Sequence, residues 1–400
     1  MDPRLGVVDA AFENRDPVPI RREHGGGRTP EFLTAAPGLI SADKDKSHYN
    51  NVLCYSRFIR HDLIRLIRAD EWWEYKLVPI LSTFYATALV LHVAVSSLWV
   101  SALSLLLAIV PAAIYASVIN DVTDLAGDLE AGKRNGVAGR SRLMVATLVA
   151  LTVGAGFLFA WLWRDDALLL SCYLATWLAF SLYSLPPFRF KERGAAGVLC
   201  DAAGEQLFPA LVAVFLACRG AQRAVSGAWV ASVAVWALAY GLRGIVWHQL
   251  TDVDNDRAAG FRTFARRHPR AAPVIGTYVV FPLELGALAA MLWQIGSAWP
   301  PAFLVLYALY AVRSARRWQT EPVIVVPKPR FFIVLHQFYS DLFPVALLIT
   351  ASVRDRRVLI VLAAHLLLFP RRVIHAIRRL RASTARTVVN ASEPHHGGVG

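Results

Sequence analysis

Two short stretches of this chain carry acids at spacings that suit metal chemistry. The first reads Asn120-Asp121-Val-Thr-Asp124-Leu-Ala-Gly-Asp128. Residues three and four apart share a helix face, so Asp121, Asp124 and Asp128 form one acidic stripe. The second reads Asp252-Val-Asp254-Asn-Asp256, where Asp252 and Asp256 share a face in the same way. Two such stripes facing each other repel unless cations sit between them. Oxygen-only ligand sets suit Mg2+, which is held by one or two carboxylates together with waters and substrate phosphates. The pair therefore points to a phosphorylated substrate bridged by Mg2+. For either motif alone, solvated acids at a helix end are an equal alternative. Between them lies Tyr183-Ser-Leu-Pro-Pro-Phe-Arg189-Phe-Lys191-Glu-Arg193. The Pro-Pro pair ends a helix, because proline cannot continue one and restricts its predecessor. Arg189, Lys191 and Arg193 then project from a turn. They could pair with phosphate oxygens, arginine bidentately, or be the ordinary basic excess of a cytoplasmic loop.

These motifs must be positioned by membrane helices. The chain has 400 residues, 56% hydrophobic and 18% charged, against about 45–50% and about 25% in soluble domains. Yet 42 Lys and Arg face 29 Asp and Glu, a net charge of +13. A membrane protein with a basic surface satisfies both facts; most soluble enzymes are excluded. A membrane-spanning helix needs roughly 20 apolar residues. Apolar runs predict spans at 77–98, 100–120, 141–163, 166–185, 195–218, 226–249, 271–293, 298–313 and 331–352, with a shorter run at 358–370. The expected fold class is thus all-α, a multi-span transmembrane bundle of about nine helices. Basic residues crowd alternate loops, including Lys133, Arg134, Arg140, Arg262, Arg266 and Arg267. By the positive-inside rule those loops, both acidic motifs and both termini are cytoplasmic. Trp99, Trp161, Trp163, Trp229, Trp293 and Trp299 lie at the opposite ends, as an interfacial belt does. Arg354, Arg356 and Arg357 break the charge pattern.

The remaining segments follow. Residues 1–50 read as a disordered cytosolic extension and 51–76 as an amphipathic interfacial helix, with a helix packed on the protein an equal alternative. Residues 77–353 form the bundle. Residues 354–370 are an extra span or an interfacial segment, and 371–400 a basic cytoplasmic tail. Cys54, Cys172, Cys200 and Cys218 are too scattered for a disulfide framework or zinc site. The Asn390-Ala-Ser392 sequon falls on the tail and reads as chance. Charge distributed by topology disfavours a nucleic-acid partner.

The string NDVTDLAGD resembles the first motif of the UbiA superfamily of intramembrane prenyltransferases. DVDNDRAAGFRT resembles its second motif, and YSLPPFRFKERG its linker after the fourth helix. The order and spacing are also those of the family, over roughly residues 55–352. The resemblance implies a nine-helix bundle around a central cavity. It implies that Asn120, Asp121, Asp124, Asp128, Asp252 and Asp256 hold Mg2+ and diphosphate, and that Tyr183, Arg189 and Lys191 help bind or activate the diphosphate. Asn255 stands where many relatives have glycine, Asp254 is an extra acid, and the His-Pro of the phosphoribosyl-transferring branch is absent.

The chemistry implied is ionisation of an allylic prenyl diphosphate, with the cation shielded from water inside the bundle. Asp121, Asp124, Asp252, Asp256 and Tyr183 are the expected catalytic set; Tyr183 fits an interfacial tyrosine nearly as well. Other ionisable groups sit within spans and face the interior as a rule. Asp201 and Glu205 are one turn apart; Glu205 and Asp341 could bind an acceptor or take its proton. Arg243 is either one half of a structural pair or a diphosphate ligand, and His248 reads as a core histidine. The expected partners are a prenyl diphosphate, a lipophilic acceptor and the lipid bilayer. Oligomeric state and chain length are not readable. The expected activity is Mg2+-dependent prenyl transfer. The alternatives are a terpene cyclase using the same ionising site without an acceptor, and a non-catalytic transporter.

Overall fold

The computed structural model describes residues 64–371 and 374, apart from 131 and 259. The expected N-terminal extension, the first part of the interfacial helix, Cys54, the sequon and nearly all of the tail lie outside the described residues. From Ile67 onward the described residues form one compact unit. It opens on a single-turn helix, α1 (Ala69–Trp72), and then α2 (Leu77–Val90). Every residue of α2 from Leu77 to Leu89 is buried. A helix apolar on all sides is one surrounded by protein, and α2 packs between α6 (Ala195–Ala221) and α12 (Phe338–Ser352).

Six helices are long and apolar enough to cross a membrane, and the first of them includes α3 (Trp99–Glu130). The others are α4 (Arg142–Leu162), α5 (Ala167–Ser184), α6, α7 (Gly227–Thr251) and α10 (Ala271–Ile295). Side-chain caps start three of them. Ser141, Asp166 and Ser226 accept hydrogen bonds from the backbone amides of Met144, Leu169 and Trp229, which satisfies one orphan donor in each first turn. The exposed face of α4 carries Leu143, Leu151, Phe157 and Trp161, the surface that lipid solvates. At 1.5 Å per residue α3 runs about 48 Å, longer than a hydrocarbon core of about 30 Å. It is too long to fit upright within the apolar layer, and its last turns hold the first acidic motif.

Three helices open into a wider π turn at matching places: Ala203–Leu207 in α6, Gly276–Val280 in α10 and Phe338–Leu342 in α12. Each is followed by Phe-Pro: Phe208-Pro209, Phe281-Pro282 and Phe343-Pro344. A proline ring collides with the carbonyl four residues back and offers no amide. A one-residue expansion of the helix relieves both problems.

After α7 come two short helices, α8 (Val253–Ala258) and α9 (Phe264–Arg267). α11 (Trp299–Trp318) precedes a parallel pair, β1 (Glu321–Val323) and β2 (Phe331–Ile333). This pair packs over a small apolar cluster of Val198, Ile245, Trp247, Ala265 and Val325. The chain described ends in α13 (Val358–Leu368), about 16 Å long and too short to cross alone.

The bundle of membrane helices is as the sequence leads one to expect, with four corrections. The run 77–98 is helical only to Val90; Val95–Leu98 is a separate 3-10 turn after His92, whose φ is 54°. The run 331–352 starts as strand β2, and Leu335 at φ 63° precedes the helix. The run 298–313 extends through polar residues to Trp318. Trp163 and Trp229 are core residues, not interfacial ones: Trp163 packs edge-on against Tyr173, and the Trp229 indole donates to Thr87 Oγ1 at 3.1 Å.

Candidate active site

The first motif occupies the last turns of α3, and the cations of the linker reach it. Lys191 Nζ donates to Asp124 Oδ1 at 2.6 Å, Asn120 Oδ1 at 3.0 Å and Thr123 Oγ1 at 3.1 Å. Arg189 Nη2 donates to the same Asp124 oxygen at 2.9 Å, and Nη1 to the Thr123 carbonyl at 3.0 Å. Burial pushes the Lys191 ammonium below its ordinary value, against the opposing pull of Asp124. The linker holds this geometry because it is tightly constrained. Arg189 has a left-handed backbone, φ 40°, and the start of α6 presses onto the next residues. A Cβ on Gly197 would lie 2.4 Å from the Phe190 carbonyl oxygen, so only glycine fits there.

Asp121 is buried and engaged on both oxygens. Oδ2 accepts from the Gly136 amide at 2.9 Å, and Oδ1 faces Arg68 Nη1 at 3.3 Å. Asn135 ties the loop after α3 back to the motif, donating to the Asp121 carbonyl at 2.8 Å and to Asp128 Oδ2 at 2.9 Å. Sequence reasoning missed Arg68, Asn135 and Gly136. The Asn-Gly turn signal was available for the last two. Arg68 lies 53 residues from Asp121, in a segment that reads equally as lying on the membrane surface or packed on the protein.

The second motif begins where α7 ends. Asp252 is the C-terminal cap of α7 and Asp256 lies in α8. Asp256 is buried, and burial pushes its carboxyl up. Asp254 is exposed and pairs with Arg257 at 2.9 Å. The chain then folds across the first motif: a Cβ on Gly127 would touch the Phe261 ring at 4.0 Å, and Lys133 Nζ stands 5.8 Å from that ring's centre. The two motifs are thus joined at one end of the bundle. The Tyr183 hydroxyl, at the end of α5, lies within electrostatic reach of Asp124, Asp256, Asp201 and Glu205.

Other expected residues fall elsewhere. Glu205 sits on the π turn of α6 and accepts from Lys76 Nζ at 2.7 Å. Asp341 sits on the π turn of α12 and accepts from Ser340. Arg243 is apart from the acidic motifs. Its guanidinium is held by both oxygens of Glu284, at 2.6 and 2.8 Å, and the Tyr339 hydroxyl donates to the same carboxylate at 3.0 Å. Sequence reasoning passed over Glu284, a single acid in an apolar run. His248 is not a core residue: it is exposed, with Nε2 3.7 Å from Asp252 Oδ2.

Among the described residues no three acidic, His or Cys side chains converge to form a metal cage from protein alone. The donors of the two motifs are nonetheless all oxygens. Mg2+ needs only one or two carboxylates when phosphate and water complete its shell, so the donor set fits that ion.

Fold and site together define a helical membrane protein with two acidic motifs and a cationic linker gathered at one end. The model of the UbiA prenyltransferase family matches residues 80–334. The chain belongs to that family and is an integral membrane protein. No curated protein matches it. Among solved structures it is similar to a UbiA homolog from Archaeoglobus fulgidus, at 15% identity over 73% of this chain and 99% of that one, with a TM-score of 0.50. The structure of a UbiA homolog from that organism bound to GPP and Mg2+ aligns at 16% identity, 73% and 99% coverage and a TM-score of 0.49. One bound to DMAPP and Mg2+ aligns at 16% identity, 72% and 99% coverage and a TM-score of 0.48.

Proposed function

We propose that this protein ionises an allylic prenyl diphosphate between its two acidic motifs and transfers the prenyl group to a lipophilic acceptor. The observation that carries the reading is the pair of linker cations on the first motif, Lys191 and Arg189 both bound to Asp124, at the end of the bundle where the loop after the second motif lies against Gly127. Asn120, Asp121, Asp124, Asp128, Asp252 and Asp256 would hold Mg2+, and the ion would supply positive charge to offset that developing on the departing diphosphate. Lys191 and Arg189 exchange Asp124 for phosphate oxygens as the substrate enters, and arginine's fork takes two of them. Arg68 and the Gly136 amide keep Asp121 in one orientation. Tyr183 donates to the leaving oxygen or turns its ring toward the allylic cation.

The bundle keeps water from that cation. Trp236, Tyr240 and Tyr339 form a packed aromatic cluster, with ring centres 5.0–5.8 Å apart. Glu205, held by Lys76, and Asp341 are the polar groups offered to an acceptor. Their presence favours transfer over cyclisation. By loop charge the acidic motifs and both termini face the cytoplasm, residues 77–353 are the catalytic bundle, and 371–400 a basic tail near lipid headgroups.

The test is product analysis on membranes given Mg2+ and a series of prenyl diphosphates, with and without lipophilic acceptors. Transfer predicts acceptor-dependent prenylated product. A cyclic hydrocarbon formed without acceptor overturns transfer in favour of a cyclase. Asp121→Ala and Asp252→Ala should each abolish diphosphate release while the protein still inserts; unchanged turnover in both overturns the site.

A further inference from the structure

An open cleft of about 400 Å³ lies on the outer side of the linker. One wall is the linker itself, with Pro187, Arg189, Glu192 and Arg193. The other is the loop after the second motif, with Arg262 and Arg267. No acid of either motif lines it.

The charges in this cleft do not balance. Four guanidinium groups face one carboxylate, Glu192, and Arg189 Nε already donates to it. Arg193 spends one N–H on the Pro187 carbonyl at 2.6 Å and lies 5.8 Å from the Phe190 ring centre. Arg267 spends one on the Glu192 carbonyl at 3.3 Å. Carbonyls and rings position a guanidinium without neutralising it. Arg262 makes no hydrogen bond or ion pair with any described residue. Three arginines therefore converge on a concavity without a carboxylate partner among the described residues. Topology alone calls for basic residues in such loops, but not for their convergence on one hollow from segments some seventy residues apart.

Arg193 and Arg267 are also held in place. A Cβ on Gly194, whose φ is 63°, would lie 3.5 Å from Arg267 Cδ. Arg267 thus lies along the linker, with its guanidinium at the wall of the cleft. Arg193 is fixed by its carbonyl bond. Planar forks held in advance lose little freedom on binding, and phosphate oxygens match their geometry.

We infer that this cleft is a second anion site, taking a phosphate-bearing group by arginine contacts alone, without a metal. The group is a free phosphate or diphosphate, or the headgroup of an anionic lipid. The site communicates with the acidic motifs through Arg189, which forms part of the cleft wall while its Nη2 rests on Asp124. An occupant competes with Glu192 and Asp124 for that side chain.

The experiment uses the full chain in phosphatidylcholine nanodiscs with EDTA and no prenyl substrate, and measures binding of inorganic diphosphate. The unaltered protein should bind it, and Asp121→Asn with Asp252→Asn should bind equally. Arg262→Gln with Arg267→Gln should bind at least tenfold more weakly. Arg262→Gln alone, which removes no hydrogen bond or ion pair to any described residue, should weaken binding severalfold while the protein unfolds at the unaltered denaturant midpoint. Adding phosphatidylglycerol to the discs distinguishes the sources. Competition with diphosphate, lost in the arginine variants, assigns a lipid headgroup; absence of competition assigns a soluble phosphate. Metal-free binding that the arginine variants leave unchanged, or no metal-free binding at all, overturns the inference. Neither result bears on prenyl transfer, which needs Mg2+ and the acidic motifs.

Discussion

Breaking the Arg243–Glu284 pair is the sharpest test of how the bundle is held together. The two side chains are 2% and 0% exposed, so solvent screens neither. The pair joins α7 to α10, and Tyr339 joins α12 to both. Arg243 also stands 5.7 Å from the ring centre of Tyr240 and 5.5 Å from that of Phe281. Glu284→Gln keeps the volume but leaves the guanidinium without its counter-charge, facing an amide. Removing one partner of a buried pair costs about 3–5 kcal/mol. Arg243→Met should cost a similar amount, because it strands the carboxylate. The double variant Arg243→Met with Glu284→Leu removes both charges and leaves only the Tyr339 hydroxyl unpaired, about 1–3 kcal/mol. The two single costs therefore sum to about 6–10 kcal/mol, well above the double. Denaturant unfolding in mixed micelles measures all three. Costs that add to within about 0.5 kcal/mol refute the reasoning, since non-interacting sites add to that tolerance. Turnover at a temperature where each variant is folded separates the two roles open to Arg243. A structural pair leaves the diphosphate chemistry intact; a fully stable Glu284→Gln protein that cannot release diphosphate returns Arg243 to the substrate site.

Three further outcomes follow from the site. Lys191→Met removes one charge-assisted contact to the leaving group, about 1.5–3 kcal/mol, and should lower kcat/KM by roughly ten- to a hundredfold; Lys191→Arg should recover part of that, and steady-state kinetics with a prenyl diphosphate decides it. Gly197→Ala drives a methyl into the Phe190 carbonyl at 2.4 Å. It should cost about 1–3 kcal/mol of stability and lower turnover more than the lost stability explains, because Lys191 is the next residue; normal kinetics with normal stability would contradict the role given to that contact. Chelation by EDTA should stop diphosphate release and added Mg2+ restore it, measured as released diphosphate; release that persists after exhaustive chelation counts against the assignment of the acidic motifs.

Much of the fold is legible because lipid imposes a length on every span, and length is read directly from apolar runs. What hydropathy lacks is any record of backbone shape. His92-Val-Ala-Val-Ser-Ser-Leu98 is apolar enough to continue α2, yet the helix ends at Val90 and a separate turn follows. Phe331-Phe-Ile-Val334 has the hydropathy of a span and mostly pairs as a strand, held by β1. The π turns had a signal that hydropathy ignores, the Phe-Pro at 208–209, 281–282 and 343–344. At these three Phe-Pro steps the helix widens one turn earlier, whereas Pro111 is carried within α3 without such a turn. The tryptophans mislead for a related reason. An indole near a span end suits an interface or a core, and only its neighbours, Tyr173 for Trp163 and Thr87 for Trp229, decide.

The candidate site divides along the same line. Its acids are local, three and four residues apart, and helical geometry alone puts them on one face. The groups that hold them are not local. Arg68 reaches Asp121, and Lys191 reaches Asp124 across 67 residues; no spacing rule connects such positions. Arg243 lies between these cases. A guanidinium in a membrane helix is costly enough to require a partner, so the sequence demands an acid for it without saying which. Glu205 and Asp341, the acids that sequence singled out within spans, are not that partner. Glu284 was hidden because Phe281-Pro-Leu-Glu-Leu-Gly gives it no polar neighbour to mark a face. That isolation is itself informative in retrospect: two lone opposite charges, each in its own apolar span, have few ways to be satisfied other than with each other. With Glu284 committed to Arg243 and Glu205 to Lys76, the acids of the first motif are balanced by the linker cations and Arg68, and Asp254 of the second by Arg257; the proposed diphosphate would take over part of the first set.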